Sequence, residues 1–156
     1  MRKWIMMMIG AVLLTVMFVG CSSKENTPAW TIMVEGVKDG AVSFTSSDFN
    51  NMEAVEIKAA MKNKDSSEPA QSWTGIPLKT VLESLGVKAY SSVIVESKDG
   101  QSKEYVPELV DSEGTILGVK VEGKSLDEKE GPVKLVVDGK GKNWWIPNVA
   151  KIIVKK

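Results

Sequence analysis

Trp73-Thr74-Gly75-Ile76-Pro77-Leu78-Lys79-Thr80-Val81-Leu82 decides the reading of this chain. Leu78, Val81, Leu82 and Leu85 recur at helical spacing, and Gly86 ends the pattern. Proline fixes its own φ and lacks an N–H donor. Pro77 therefore suits the first turn of that helix, and Gly75-Ile76-Pro77 predicts a tight turn ahead of it. Downstream, Val93-Ile94-Val95 reads as a strand, Ser97-Lys98-Asp99-Gly100 as a hairpin turn and Lys103 to Val106 as the returning strand. Pro107 to Val110 starts a single helical turn. Thr115 to Val121, Val133 to Val137 and Val149 to Val154 are further strands. Upstream, Trp30 to Gly36 and Ala41 to Phe44 form a hairpin about Lys38-Asp39-Gly40. Thr45 to Asp48 offers N-cap residues for a short helix, Val55 to Met61 alternates as a strand, and Asn63 to Pro69 is a polar turn. Many short strands with about two modest helices predict an α+β domain, mostly β.

The opening stretch resembles a motif of the molybdopterin-binding domain of the sulfite oxidase type: an aromatic, Gly-Val/Ile-Pro-Leu, then a Leu-Leu helix ending at Gly-Val. Val81-Leu82 and Gly86-Val87 complete it here. Lys98-Asp99-Gly100 is similar to the family's DGY hairpin, with Gln101 in place of the aromatic. Val121-Glu122-Gly123-Lys124-Ser125-Leu126 is similar to its NGxxL segment, and Gly131-Pro132-Val133-Lys134-Leu135-Val136-Val137 to its GGPLRLVVP strand. Val149-Ala150-Lys151-Ile152 fits the closing strand. The resemblance spans about Trp30 to Lys155 and implies that fold for residues 30–156.

The departures bear on function. In the family's sulfite oxidase and nitrate reductase enzymes, a cysteine upstream of the Trp-Gly-Pro element ligates molybdenum. The matching stretch here is Ile57-Lys58-Ala59-Ala60-Met61-Lys62-Asn63. A neutral thioether such as that of Met61 does not replace an anionic thiolate on a high-valent oxo-metal. The family's substrate- and pterin-contacting arginines and histidines are also missing, since the only arginine is Arg2 and there is no histidine. The resemblance thus implies a small exported stand-alone member, with molybdopterin as the cofactor that family membership would suggest and the actual cofactor left open.

The best chemical site in the sequence is Gly139-Lys140-Gly141-Lys142-Asn143-Trp144-Trp145. Two glycines permit positive φ, and successive N–H groups of such a turn can form an anion nest. Lys140 and Lys142 add charge, and a tryptophan adds a flat apolar face. The expected ligand is small, planar and anionic; in the family's enzymes this region helps hold the pterin phosphate. The alternative is a solvated turn with one tryptophan in the core and the other at the rim. Asp138 counts against an anion there. Asp127-Glu128-Lys129-Glu130 reads as a solvated charged turn, and no acidic spacing suggests a metal site.

Residues 1–20 read as a lipoprotein signal peptide. Arg2 and Lys3 precede an apolar run from Trp4 to Val19, and Gly20-Cys21 fits a lipobox. Phe18 departs from the leucine usual there. An uncleaved anchor is the alternative, although the run is just short of the roughly 20 residues that span comfortably. Cys21 is the expected lipidation site, and residues 21–29 form a polar tether. The expected location is the extracytoplasmic side of a cell membrane, with an envelope redox partner as a possible docking target.

Composition excludes several chemistries. Cys21 is the only cysteine and histidine is absent. A domain from residue 22 onward therefore has no thiolate nucleophile, disulfide, Ser-His-Asp triad or imidazole-based zinc or haem site. Removing Arg2 and Lys3 with the leader leaves 18 basic against 20 acidic residues, about −2, which argues against nucleic acid. No catalytic and no metal-ligating residue is assigned. Three readings follow: a membrane-anchored ligand-binding or redox-accessory protein, an oxidoreductase holding a molybdenum cofactor through the pterin alone, or a structural interaction module.

Overall fold

The computed structural model describes residues 27–38 and 40–156. The expected signal peptide, Cys21 and most of the tether lie outside these residues. Among the described residues, no helix is long and apolar enough to cross a membrane.

The elements in order are β1 (Thr31–Val37), β2 (Gly40–Thr45), α1 (Ser46–Asn50), β3 (Val55–Ala59), β4 (Gln71–Pro77), α2 (Leu78–Ser84), β5 (Ser92–Ser97), β6 (Ser102–Tyr105), α3 (Pro107–Val110), β7 (Thr115–Val121), β8 (Lys124–Ser125), β9 (Lys134–Val137), a 3-10 turn (Lys142–Trp144) and β10 (Val149–Lys155). The architecture is the expected α+β, mostly β, with three short helices. One sheet has the order β2-β1-β10-β5-β6, in which β1 and β10 run parallel. The second has the order β3-β4-β7, with β8 and β9 following one another along the far side of β7. Alternation in β1 buries Ile32 and Val34, whereas β9 is buried throughout because it faces core on both sides.

Two local expectations change. Gly75-Ile76-Pro77 is no turn: the chain runs extended through it as β4, paired with β3 on one side and β7 on the other. A Cβ on Gly75 would lie 2.2 Å from the Leu117 carbonyl oxygen, so the glycine serves close strand approach. Pro77 is accordingly the residue before α2 rather than inside its first turn. The strand starting at Val55 ends at Ala59, and Met61 lies beyond it.

The ends of the helices follow their sequence signals. Thr45 and Asp48 form a reciprocal capping box at α1, in which the Asp48 carboxylate accepts from the Thr45 N–H at 2.8 Å and from its hydroxyl at 2.7 Å. These bonds, the side-chain one foremost, hold the Asp48 carboxyl below the ordinary carboxylate range. Gly86, at φ +78°, closes α2: its N–H donates to the Glu83 carbonyl and that of Val87 to the Leu82 carbonyl, each at 3.0 Å.

Candidate functional site

A cleft opens where β3 leaves the second sheet, beside β4, β9 and the turn before β10. Its floor begins with Trp73, an inward residue of β4. The indole packs over Gly118 of β7, where a Cβ would lie 3.0 Å from Trp73 Cε3. Trp145 follows the 3-10 turn and meets Trp73 edge to face, with centroids 5.6 Å apart and planes at 74°. Both indole N–H groups are buried without an acceptor among the described residues.

Lys134 lies beside both rings. It begins β9 and is 5% exposed, in register with Gly118. Its Nζ is 5.6 Å from the Trp73 centroid and 5.5 Å from that of Trp145. The ammonium is ion-paired with Glu130, one helical turn earlier in number but on a loop. That loop is held by Asp127, whose carboxylate accepts from the N–H groups of Lys129 and Glu130, both at 2.9 Å. Asn148 closes it, donating its own N–H to the Glu130 carbonyl at 3.0 Å. The charged run 127–130 is a turn exposed at Asp127, Glu128 and Lys129, from which Glu130 reaches the buried lysine.

Met61 sits at the lip. The Ala60 N–H donates to Asp138 Oδ1 at 2.9 Å, the Gly139 N–H to the Ala60 carbonyl at 3.0 Å, and the Lys62 N–H to the Lys140 carbonyl at 3.1 Å. The loop after β9 thus clamps the segment that carries Met61. Two cavities adjoin here, of about 530 and 280 Å³, and Met61, Glu130 and Lys134 line both. The larger is walled by Trp73, Val121 and Leu126, by the carboxylates of Glu68, Glu122 and Asp127, and by Lys124. Glu122 is fixed: its carboxylate accepts from the Ser72 N–H at 2.7 Å.

The loop residues singled out in the sequence divide. Lys142, Asn143 and Trp145 line the smaller cavity, whereas Gly139, Lys140, Gly141 and Trp144 do not. The N–H groups of Gly139 and Lys140 are spent on the Ala60 and Val137 carbonyls, so no nest is open at those two amides. Trp144 packs against Tyr105 and under the ammoniums of Lys103 at 4.0 Å and Lys140 at 5.5 Å, partly exposed, while Trp145 is core. The Tyr105 hydroxyl donates to the Trp144 carbonyl at 2.6 Å, and burial pushes its pKa up. Asp138 is engaged as the Ala60 acceptor. Glu130 and Lys134 were not singled out as site residues. The available signal was a lysine inside the otherwise apolar run Val133 to Val137.

The family model described as oxidoreductase molybdopterin binding domain matches residues 20–156. No curated protein matches the sequence. Among solved structures, the sulfane dehydrogenase SoxCD from Paracoccus pantotrophus is similar, with TM-score 0.70 and 20% identity over 81% of this chain. The match spans 38% of the SoxCD chain.

The residues of the cleft do not fit the metal half of a molybdenum cofactor. Among the described residues there is no thiolate and no group of three His, Cys, Asp or Glu side chains placed to hold a metal. The sulfur at the cleft is the Met61 thioether. The charges lining the two cavities are Glu68, Glu122, Asp127 and Glu130 against Lys124, Lys134 and Lys142, of which Lys134 is already neutralised by Glu130, so the lining offers no net positive charge to a phosphate.

Proposed function

The chain belongs to the oxidoreductase molybdopterin binding domain family, and we propose that it is a lipid-anchored envelope protein whose cleft binds a small ligand or serves a redox partner without a metal held by the protein. The observation that carries this reading is Met61 at the junction of the two cavities, in the stretch similar to the one where the family's enzymes place their cysteine. A molybdenum centre ligated by the protein in the way the family's sulfite oxidase enzymes do it takes an anionic sulfur there, and a neutral thioether does not supply that charge. What remains is an aromatic, partly charged cleft of ligand size. Lys142, Asn143 and Trp145 extend it towards the glycine loop. The sequence Gly20-Cys21 supports attachment by lipid at Cys21, and multiple acyl chains anchor where one is marginal.

The test uses the full chain, expressed in a host that makes the molybdenum cofactor. Molybdenum is measured by mass spectrometry and released pterin by fluorescence. Both are expected to be far below one per chain. Near-stoichiometric values of both would instead establish an oxidoreductase that holds its cofactor through the pterin. Intact mass of the membrane-extracted protein should show diacylglyceryl at Cys21. Cys21→Ser should lack that mass and leave the membrane fraction; a membrane-bound, unmodified wild-type chain would refute the anchor.

A further inference from the structure

Lys134 is the one charged side chain among the described residues that is buried, and it faces both cavities. Its acceptor is unlike it in burial: the Lys134 side chain is 6% exposed and that of Glu130 is 42% exposed. The Glu130 backbone is fastened through Asp127 and Asn148, so its side chain can leave Lys134 by rotation alone, with the loop in place. From this asymmetry we infer that Glu130 is an internal stand-in for the ligand, and that the cleft takes a small organic monocarboxylate with an apolar body, which binds by displacing Glu130 from Lys134. The inference rests on the reading of the cleft as a ligand site and names the ligand class.

Three features define that class. A neutral or cationic head cannot displace Glu130, because it would leave the Lys134 charge buried without a partner. A carboxylate can, since it repeats the geometry and charge of the group it replaces. Further negative charge is opposed: Glu122 and Asp127 are fixed by backbone hydrogen bonds beside the larger cavity, Glu68 lines it too, and the released Glu130 remains at its edge. Phosphate esters and polyanions are thereby disfavoured. The body of the ligand meets Trp73, Trp145, Met61 and Leu126.

The experiment compares three probes sharing one phenyl body, 3-phenylpropionate, 3-phenylpropylamine and 2-phenylethyl phosphate, on the full chain in detergent. Binding is followed by intrinsic tryptophan fluorescence and equilibrium dialysis. The carboxylate should bind saturably and at least several-fold more tightly than either of the others. Glu130→Gln should tighten it several-fold, since the competitor for Lys134 has lost its charge. The paired change Lys134→Met with Glu130→Gln leaves no unpaired charge and should weaken it at least tenfold, with the circular dichroism of the fold retained. Should Glu130→Gln fail to fold, the wild-type order of the three probes decides alone. Unchanged or weaker carboxylate binding in Glu130→Gln, or a preference for amine or phosphate, overturns the ligand class while leaving the cleft a binding site. Binding of none of the three overturns the ligand class and with it the small-ligand half of the proposed function, leaving the redox-partner half.

Discussion

Gly75→Ala tests the structural reading of the stretch that decides the fold. The methyl would be built 2.2 Å from the Leu117 carbonyl oxygen and 2.8 Å from the Gly118 Cα, both backbone atoms of the neighbouring strand β7. Overpacking costs about 1–3 kcal/mol when side chains can yield. Here a hydrogen-bonded strand must move, so the expected loss is at the top of that range, about 3 kcal/mol or more. For a domain of this size that lowers the melting temperature by roughly 10 °C. The assay is a thermal melt of the full chain by circular dichroism, with a urea titration to check that the m-value is kept. Gly86→Ala is the matched control. That residue has φ +78° and nothing within 4 Å of its Cβ, so its cost is conformational, about 1–2 kcal/mol. Asparagine tolerates the left-handed region, so Gly86→Asn should cost less than Gly86→Ala, whereas Gly75→Asn should be no better than Gly75→Ala. If Gly75→Ala melted within about 2 °C of the wild type, the glycine would not be serving strand approach and the β4–β7 contact would be wrongly described.

Thr45→Ala removes the α1 capping box and should cost about 1 kcal/mol by urea titration at pH 7. Because the folded Asp48 carboxyl titrates below its ordinary range, the box is complete above about pH 4 and is lost as pH falls through the lowered pKa, so the gap between the two proteins should narrow in acid. Gly118→Ala would place a methyl 3.0 Å from Trp73 Cε3 and 3.2 Å from Val136 Cγ2, and should shift tryptophan emission and near-UV circular dichroism at a stability cost of about 1–2 kcal/mol. The paired change Lys134→Met with Glu130→Gln should leave the melting temperature unchanged or raised, because a buried ion pair is often no more stabilising than apolar side chains of similar volume; a clear fall would mean that the pair holds the fold together.

Much of the fold was legible because it is written in local signals. Helix α2 follows from Leu78, Val81, Leu82 and Gly86, and the hairpins follow from Gly40 and Gly100, both at positive φ. Gly75-Ile76-Pro77 reads as a turn because a glycine two residues ahead of a proline looks like one, while the actual cause of the glycine, the backbone of β7, lies 42 residues away in sequence. The site was legible only in part. Of the loop residues that local composition points to, Lys142, Asn143 and Trp145 line the smaller cavity. Glu130 and Lys134 escaped because burial of a lysine is a property of the packed strand, and its partner stood in a run that looked solvated. Only tertiary structure joins them to Trp73 and Met61.

The loop after β9 fastens the backbone at the mouth of the cleft without using the side chain placed there. It was expected to present amides to an anion. Instead the Gly139 N–H, the Lys140 carbonyl and the Asp138 carboxylate fasten Ala60 and Lys62, and the Met61 carbonyl accepts from Glu68. Every one of these bonds reaches the backbone of residues 60–62, and none involves the side chain at 61. Position 61 is therefore held at the mouth of the cleft whatever side chain it carries. The same independence lets the motifs of the second sheet identify the family while saying nothing of a reaction, since a fold can outlive its chemistry. The groups at the cleft that the clamp does not touch are the Met61 sulfur, the two indoles and the Glu130–Lys134 pair.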